Sequence, residues 1–155
     1  MTGRIEARLA ELGIELPAAP APAANYVPWV RSGDLVFVSG QIAKEGDRLI
    51  LGKLGANMEI DAGMRAARAC ALNLLAQLKT ACGGDLDRVT RVVKLTGYVN
   101  AAPDFENHPI VMNGASDLMA EVFGPEIGAH ARAAVGVPSL PLGVAVEVEG
   151  VFEIR

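Results

Sequence analysis

The chain has 155 residues, with 18 Asp and Glu against 14 Lys and Arg and a net charge of −4. That length is most simply one domain with room for a sizeable core, since domains cluster at roughly 100–150 residues, and the interspersed charges make no basic footprint for nucleic acid. No apolar run approaches the ~20 residues that cross a bilayer and no signal region opens the chain, so a soluble, cytoplasmic protein without a membrane partner is expected.

Residues 2–12 read as a short helix with Thr2 as N-cap and Ile5, Leu9 and Leu12 on one face. The run 16–24, Leu-Pro-Ala-Ala-Pro-Ala-Pro-Ala-Ala, reads as an extended linker, because proline fixes φ and biases its predecessor away from helix. Residues 1–24 are therefore an N-terminal helix and Pro/Ala linker, expected to pack on the body or on a neighbouring subunit, and residues 25–155 are the single domain. Residues 26–31 and 34–40 read as a β-hairpin around Ser32-Gly33, with Pro28 marking the first strand as an edge strand or an irregular one. One short strand fits within 44–55.

Ile60, Met64, Ala67, Ala71, Leu74, Leu75, Leu78 and Cys82 fall on one helical stripe, with Asp61 as cap and Gly83-Gly84 as stop. Cys70 and Cys82 lie twelve positions apart on it, about 18 Å at ~1.5 Å per residue, too far to bridge. Without a disulfide framework, a reducing compartment is the simpler reading. Residues 88–100 read as a long strand with apolar residues on both faces, and 109–123 as a second helix ended by Gly124-Pro125. Two final strands follow. The order strand-strand-helix-strand-helix-strand-strand is an α+β pattern whose two right-handed crossovers put both helices on one side of the sheet. The other face is left uncovered in a single chain, and burial between subunits is the simplest remedy.

Residues 130–149, HARAAVGVPSLPLGVAVEVE, place one arginine and two glutamates in strands otherwise built from Ala, Val and Gly. A guanidinium presents five donors in a rigid fork that matches a carboxylate, so Arg132 at the rim of a sheet suits a small organic acid. The competing reading is structural: an internal Arg132 to Glu147 ion pair, or simple edge-strand charges.

The pattern Ala-Arg-x-x-Val-x-Val-x-x-Leu-Pro from Ala131, followed by Val-x-Val-Glu-Val-Glu, resembles the C-terminal signature of the RidA (YjgF) family, also labelled the L-PSP endoribonuclease family. Leu-Val-Phe-Val-Ser-Gly-Gln from Leu35 resembles its second signature. The resemblance covers about residues 25–155. The N-terminal extension, Ala-Leu-Asn-Leu-Leu at 71–75 and Asn-Gly-Ala-Ser-Asp-Leu at 113–118 are similar to a divergent branch rather than to the deaminase archetype.

The resemblance implies the chorismate-mutase-like α+β fold, a mixed sheet with two helices on one face and the last strand inserted within the sheet. It also implies a homotrimer with a central β-barrel and ligand clefts between subunits. The implied activity is hydrolysis of reactive 2-imino or 2-enamino acids to 2-oxo acids and ammonia, without metal or cofactor. On the matching positions, Arg132 clamps the carboxylate of a small metabolite and Glu147 holds or polarises the attacking water. Tyr26, the Ser39-Gly40 backbone and Asn113 border the cleft, while Ala134 stands where the archetype has a cysteine. Structural roles compete at each: Glu147 as partner of Arg132, Tyr26 as an interface aromatic, Asn113 as a cap or bend of the second helix. A non-catalytic module that binds a small carboxylate is the alternative function, and ribonuclease activity ranks last because no basic groove or aromatic stacking strip is present. His108 and His130 form no metal-ligand spacing with the distant cysteines, so His130 is read as a cleft-lining or helix-exit residue.

Overall fold

The structure is a computed structural model that describes residues 2–155. Helix α1 (Arg4–Glu11) leads through an extended segment to strands β1 (Trp29–Ser32) and β2 (Leu35–Ile42) and a small hairpin, β3 (Lys44–Glu45) and β4 (Arg48–Leu49). Helix α2 (Ile60–Ala81), strand β5 (Val89–Asn100), helix α3 (His108–Ile127), strand β6 (Ala131–Val137) and strand β7 (Val146–Ile154) complete the chain.

The main sheet runs in the order β1-β2-β7-β5-β6. Strand β7, last in sequence, lies in the middle, antiparallel to both β2 and β5, while β6 is parallel to β5. Both helices pack on one face of this mixed sheet and on each other, as the element order predicts. The composition of β7 suits its central place. Val146, Val148, Gly150, Phe152 and Ile154 are buried beneath the helices, and the intervening Glu147, Glu149, Val151 and Glu153 alternate to the other face. That second face is uncovered: Val30 and Phe37 line up in register with Val151, Val135 lies beside Tyr98, and Val30, Phe37 and Val135 are 52%, 46% and 45% exposed.

Helices α2 and α3 approach closely because small residues line their contact. A Cβ on Gly114 would overlap the backbone carbonyl oxygen of Met64, so the two helix backbones touch there. The apolar stripe of α2 is buried as predicted from Ala67 to Cys82, and two polar residues, Asn73 and Gln77, are buried beside it.

Several boundaries differ from the sequence expectations for physical reasons. The first helix spans Arg4–Glu11 and Thr2 is not its cap. Gly3 occupies that position, and the carboxylate of Asp87, 82 and 83 residues away in sequence, accepts from the backbone N–H of Arg4 and Ile5, both at 2.8 Å. Those two bonds hold Asp87 below the usual carboxylate range. Ile5 and Leu9 join the same apolar core as the rest of the chain, so the N-terminal helix is docked on the body. Asp61 sits inside the first turn of α2, not at its cap, which is Glu59. The first strand begins at Trp29, since Pro28 has no N–H to give and the chain bends at residues 23–26. The long strand begins at Val89, because Leu86–Arg88 form a short 3-10 turn. Helix α3 breaks at Gly124 (φ 84), a left-handed conformation, and a last turn continues to Ile127. The segment 44–55 forms the two-residue strands β3 and β4 and an isolated bridge between Leu51 and Val144. No helix among the described residues is long and apolar enough to cross a membrane.

Candidate functional site

Strand β6 is an edge of the sheet, and its parallel register places Arg132 beside Leu95 and Ala134 beside Gly97. Both therefore face α3. The guanidinium of Arg132 donates from Nη1 to Asn113 Oδ1 (2.9 Å) and Ser116 Oγ (3.2 Å), and from Nη2 to the Pro109 carbonyl (3.2 Å). Pro109, Asn113 and Ser116 share one face of α3 because they are spaced i, i+4, i+7. Every one of these acceptors is neutral, and Arg132 forms no ion pair with any described residue. Its fork is thus oriented while its charge stays uncompensated. Ser116 is itself fixed: His130 Nε2 lies 2.8 Å from Ser116 Oγ and Nδ1 lies 2.7 Å from the Gly128 carbonyl. A carbonyl can only accept, so Nδ1 carries the proton, and in the neutral ring Nε2 accepts from the serine hydroxyl. His130 is accordingly a positioning residue at the exit of α3.

The other predicted residues gather at the opposite side of the sheet. Glu147 is paired with Ile42 on β2 and Tyr98 on β5. A Cβ on Gly40 would overlap Glu147 Oε1, so only glycine lets this carboxylate lie against β2. Burial raises the pKa of Glu147, and the neighbouring Glu149 carboxylate adds to the effect. Glu149 in turn accepts from the Tyr98 hydroxyl at 2.7 Å, which raises the pKa of that phenol. Tyr26, Gly40 and Glu147 line one cavity of about 430 Å³, roofed by residues 20–23 of the Pro/Ala segment and floored by Asn73 and Gln77 of α2. Ser39 lies next to it but is occupied structurally, its hydroxyl donating to the Val27 carbonyl at 2.7 Å and its backbone N–H to the Pro28 carbonyl at 2.9 Å.

One chain therefore separates the predicted site into two groups: Arg132, Asn113 and Ala134 at β6, and Tyr26, Ser39, Gly40 and Glu147 at β2 and β7. Strand β5 stands between β6 and β7, so the backbones of Arg132 and Glu147 are two strand spacings apart, about 10 Å across the sheet. Alternation also sends them to opposite faces. The internal Arg132 to Glu147 ion pair left open by the sequence is not formed.

Sequence reasoning missed Ser116 and the floor of the cavity. Ser116 could have been found from its i, i+3 spacing to Asn113. Asn73 and Gln77, four residues apart in an otherwise apolar run, were visible as polar interruptions of the α2 stripe.

Residues 6–153 match the family described as "YjgF/chorismate_mutase-like, putative endoribonuclease". The match takes in most of the N-terminal segment, which the two signatures leave outside. The chain is 53% identical over 155 residues to Protein TCP17 of Trypanosoma cruzi, covering 99% of this chain and 96% of that protein. Its structure is similar to a crystal structure described as a putative endoribonuclease from Shewanella oneidensis, with TM-score 0.92, 37% identity and coverage of 98% and 100% of the two chains. It is also similar to the YjgF gene product of E. coli, with TM-score 0.62, 26% identity and coverage of 88% and 94%. With two signatures in order, β7 inserted between β2 and β5, and a match across nearly its whole length, the chain belongs to the YjgF (RidA) family and has its α+β, chorismate-mutase-like fold.

Proposed function

We propose that the protein hydrolyses reactive 2-imino or 2-enamino acids to 2-oxo acids and ammonia, in a cleft formed where the β6 edge of one copy meets the cavity beside β2 of another in a homotrimer. The single observation that carries this reading is Arg132: a guanidinium oriented by three neutral acceptors and uncompensated by any described carboxylate. A small acid can take up that charge in charge-assisted hydrogen bonds, which are roughly twice as strong as neutral ones. The separation of Arg132 from Glu147 within one chain supports assembly, because a metabolite of a few ångströms can reach both only across two copies. The uncovered apolar face of the sheet supports it independently.

The chemistry asked of the site is modest. Water adds to the imine carbon and the nitrogen gains a proton. The resulting carbinolamine expels ammonia as the C–O bond becomes a carbonyl. Glu147 takes a proton from the attacking water and returns one to the departing nitrogen, a role favoured by a carboxyl titrating above its usual range. Arg132 holds the carboxylate and fixes the imine carbon relative to that water. The test is release of ammonia from an imino acid generated in place by an amino-acid oxidase. Equal rates for wild type and Arg132→Ala, or a monomer at assay concentration, would sink the proposal.

A second reading, binding of a small carboxylate without turnover, is favoured by Ala134, whose methyl stands at the position of the archetype's cysteine. It predicts ligand-dependent thermal stabilisation that Arg132→Ala abolishes, with no ammonia released.

A further inference from the structure

Three side-chain amides of buried residues converge on the cavity beside β2. Gln41, Asn73 and Gln77 are 7%, 3% and 2% exposed, and all three line it. Each donates an N–H to a backbone carbonyl: Gln41 Nε2 to Ser39 at 2.9 Å, Asn73 Nδ2 to Lys44 at 3.1 Å, and Gln77 Nε2 to Pro20 at 2.6 Å. A carbonyl cannot donate, so these bonds fix which end of each amide is nitrogen and leave the oxygen as the outward end. Among the described residues, no group donates to any of the three oxygens. None of the three oxygens is sealed from the cavity, so each offers free acceptor capacity there, and three acceptors together favour a group that donates. Asn73 and Gln77, at i and i+4, present theirs from one face of α2. The remaining wall is largely apolar, including Pro22, Ile42, Leu49 and Leu142.

We propose that this cavity is a subsite for an N–H donor group, an ammonium or a carboxamide carried on a short apolar stem, with the oxygens of Gln41, Asn73 and Gln77 as its acceptors. The inference rests on the reading of Gly40 and Glu147 as walls of the ligand cleft, and it names the side chain the imino acid carries: one ending in a nitrogen donor rather than in a carboxylate or a plain alkyl group. The Pro/Ala segment takes part directly, since Pro20 anchors Gln77 and thereby turns its oxygen into the cavity.

The experiment is titration of the full chain with butylammonium, butyramide and butyrate, followed by the side-chain amide resonances of Gln41, Asn73 and Gln77. The expected result is saturable shifts with butylammonium or butyramide, at least tenfold tighter than with butyrate, weakened fivefold or more by Asn73→Leu and by Gln41→Leu. Arg132→Ala should leave this binding unchanged while abolishing turnover. Butyrate binding as tightly as the nitrogen probes overturns the subsite, and so does probe binding indifferent to both leucine variants. Wild-type selectivity decides the matter alone if neither variant folds. Selectivity without ammonia release from any imine removes the deaminase and keeps the subsite; ammonia release without selectivity does the reverse.

Discussion

Two open margins of the sheet, the edge strand β6 and the stretch of β2 after Val38 that β1 no longer pairs, solve different problems with different materials. At β6 a full positive charge is held by neutral groups of one helix, Pro109, Asn113 and Ser116, and left in want of an anion. At β2 a carboxylate lies in a partly buried place that Gly40 leaves open, near amides whose nitrogens are tied to backbone carbonyls. The first margin is built to bind charge, the second to raise a pKa and to receive hydrogen-bond donors. The difference teaches that one chain keeps its uncompensated cation and its half-buried carboxylate apart; under the proposed function, recognition of an acid and proton transfer then fall to different copies.

The largest expected effect comes from emptying the first margin. Arg132→Ala should lower kcat/KM for imine hydrolysis by about 10³-fold, in line with loss of a charge-assisted, forked contact, while leaving the thermal midpoint nearly unchanged because the lost acceptors remain partly solvated. Steady-state kinetics with melting curves checks this, and an effect on melting alone would move Arg132 to the structural reading. Gly40→Ala attacks the second margin. Its Cβ must displace Glu147, so kcat should fall by about 10²-fold while thermal stabilisation by a small carboxylate at Arg132 persists. Loss of both together would show that the margins are not separable.

Glu147→Gln sharpens the comparison through pH. The folded pKa of Glu147 is raised, so folding favours its protonated form: this contribution is present below the unfolded carboxylate range and is lost as pH rises through the folded value. The glutamine variant should thus be somewhat more stable than wild type at neutral pH and lose that advantage in acid, while its turnover drops and no longer declines as pH falls through the Glu147 pKa. Denaturant melts and rate profiles across the acid range read both. The smallest effect is expected far from either margin. Asp87→Ala uncaps α1 and should cost about 1 kcal/mol. Because Asp87 is depressed in the fold, its contribution is present above the ordinary carboxylate range and lost as pH falls through the lowered value. The wild-type and variant stabilities should therefore converge only in strong acid, with both margins still functional at neutral pH.

Much of the fold was legible because periodicity reports burial directly. The stripe from Ala67 to Cys82 and the alternation of Val146 to Ile154 are each set by neighbours a few residues away. What local patterning lacked was any account of partners distant in sequence: Thr2 looked like a cap because the true acceptor, Asp87, is more than eighty residues downstream. The site was legible in the same uneven way. Arg132 and Glu147 stood out as charges among apolar residues and Asn73 and Gln77 as polar breaks in an apolar stripe, whereas what each of these touches exists only once β6, β2 and the Pro/Ala segment are laid against the helices.

Element order, the two apolar helix faces and the charges set among apolar residues follow from side-chain chemistry and spacing along the chain. The long-range pairing of β7 between β2 and β5, which local patterning does not contain and the family resemblance alone implied, sets Arg132 and Glu147 two strands apart and on opposite faces. Strand order is a long-range choice among pairings of similar local sequence. Here the chosen order buries Val146, Val148, Phe152 and Ile154 of β7 on the helix face, against α2, while α3 covers β5 and β6.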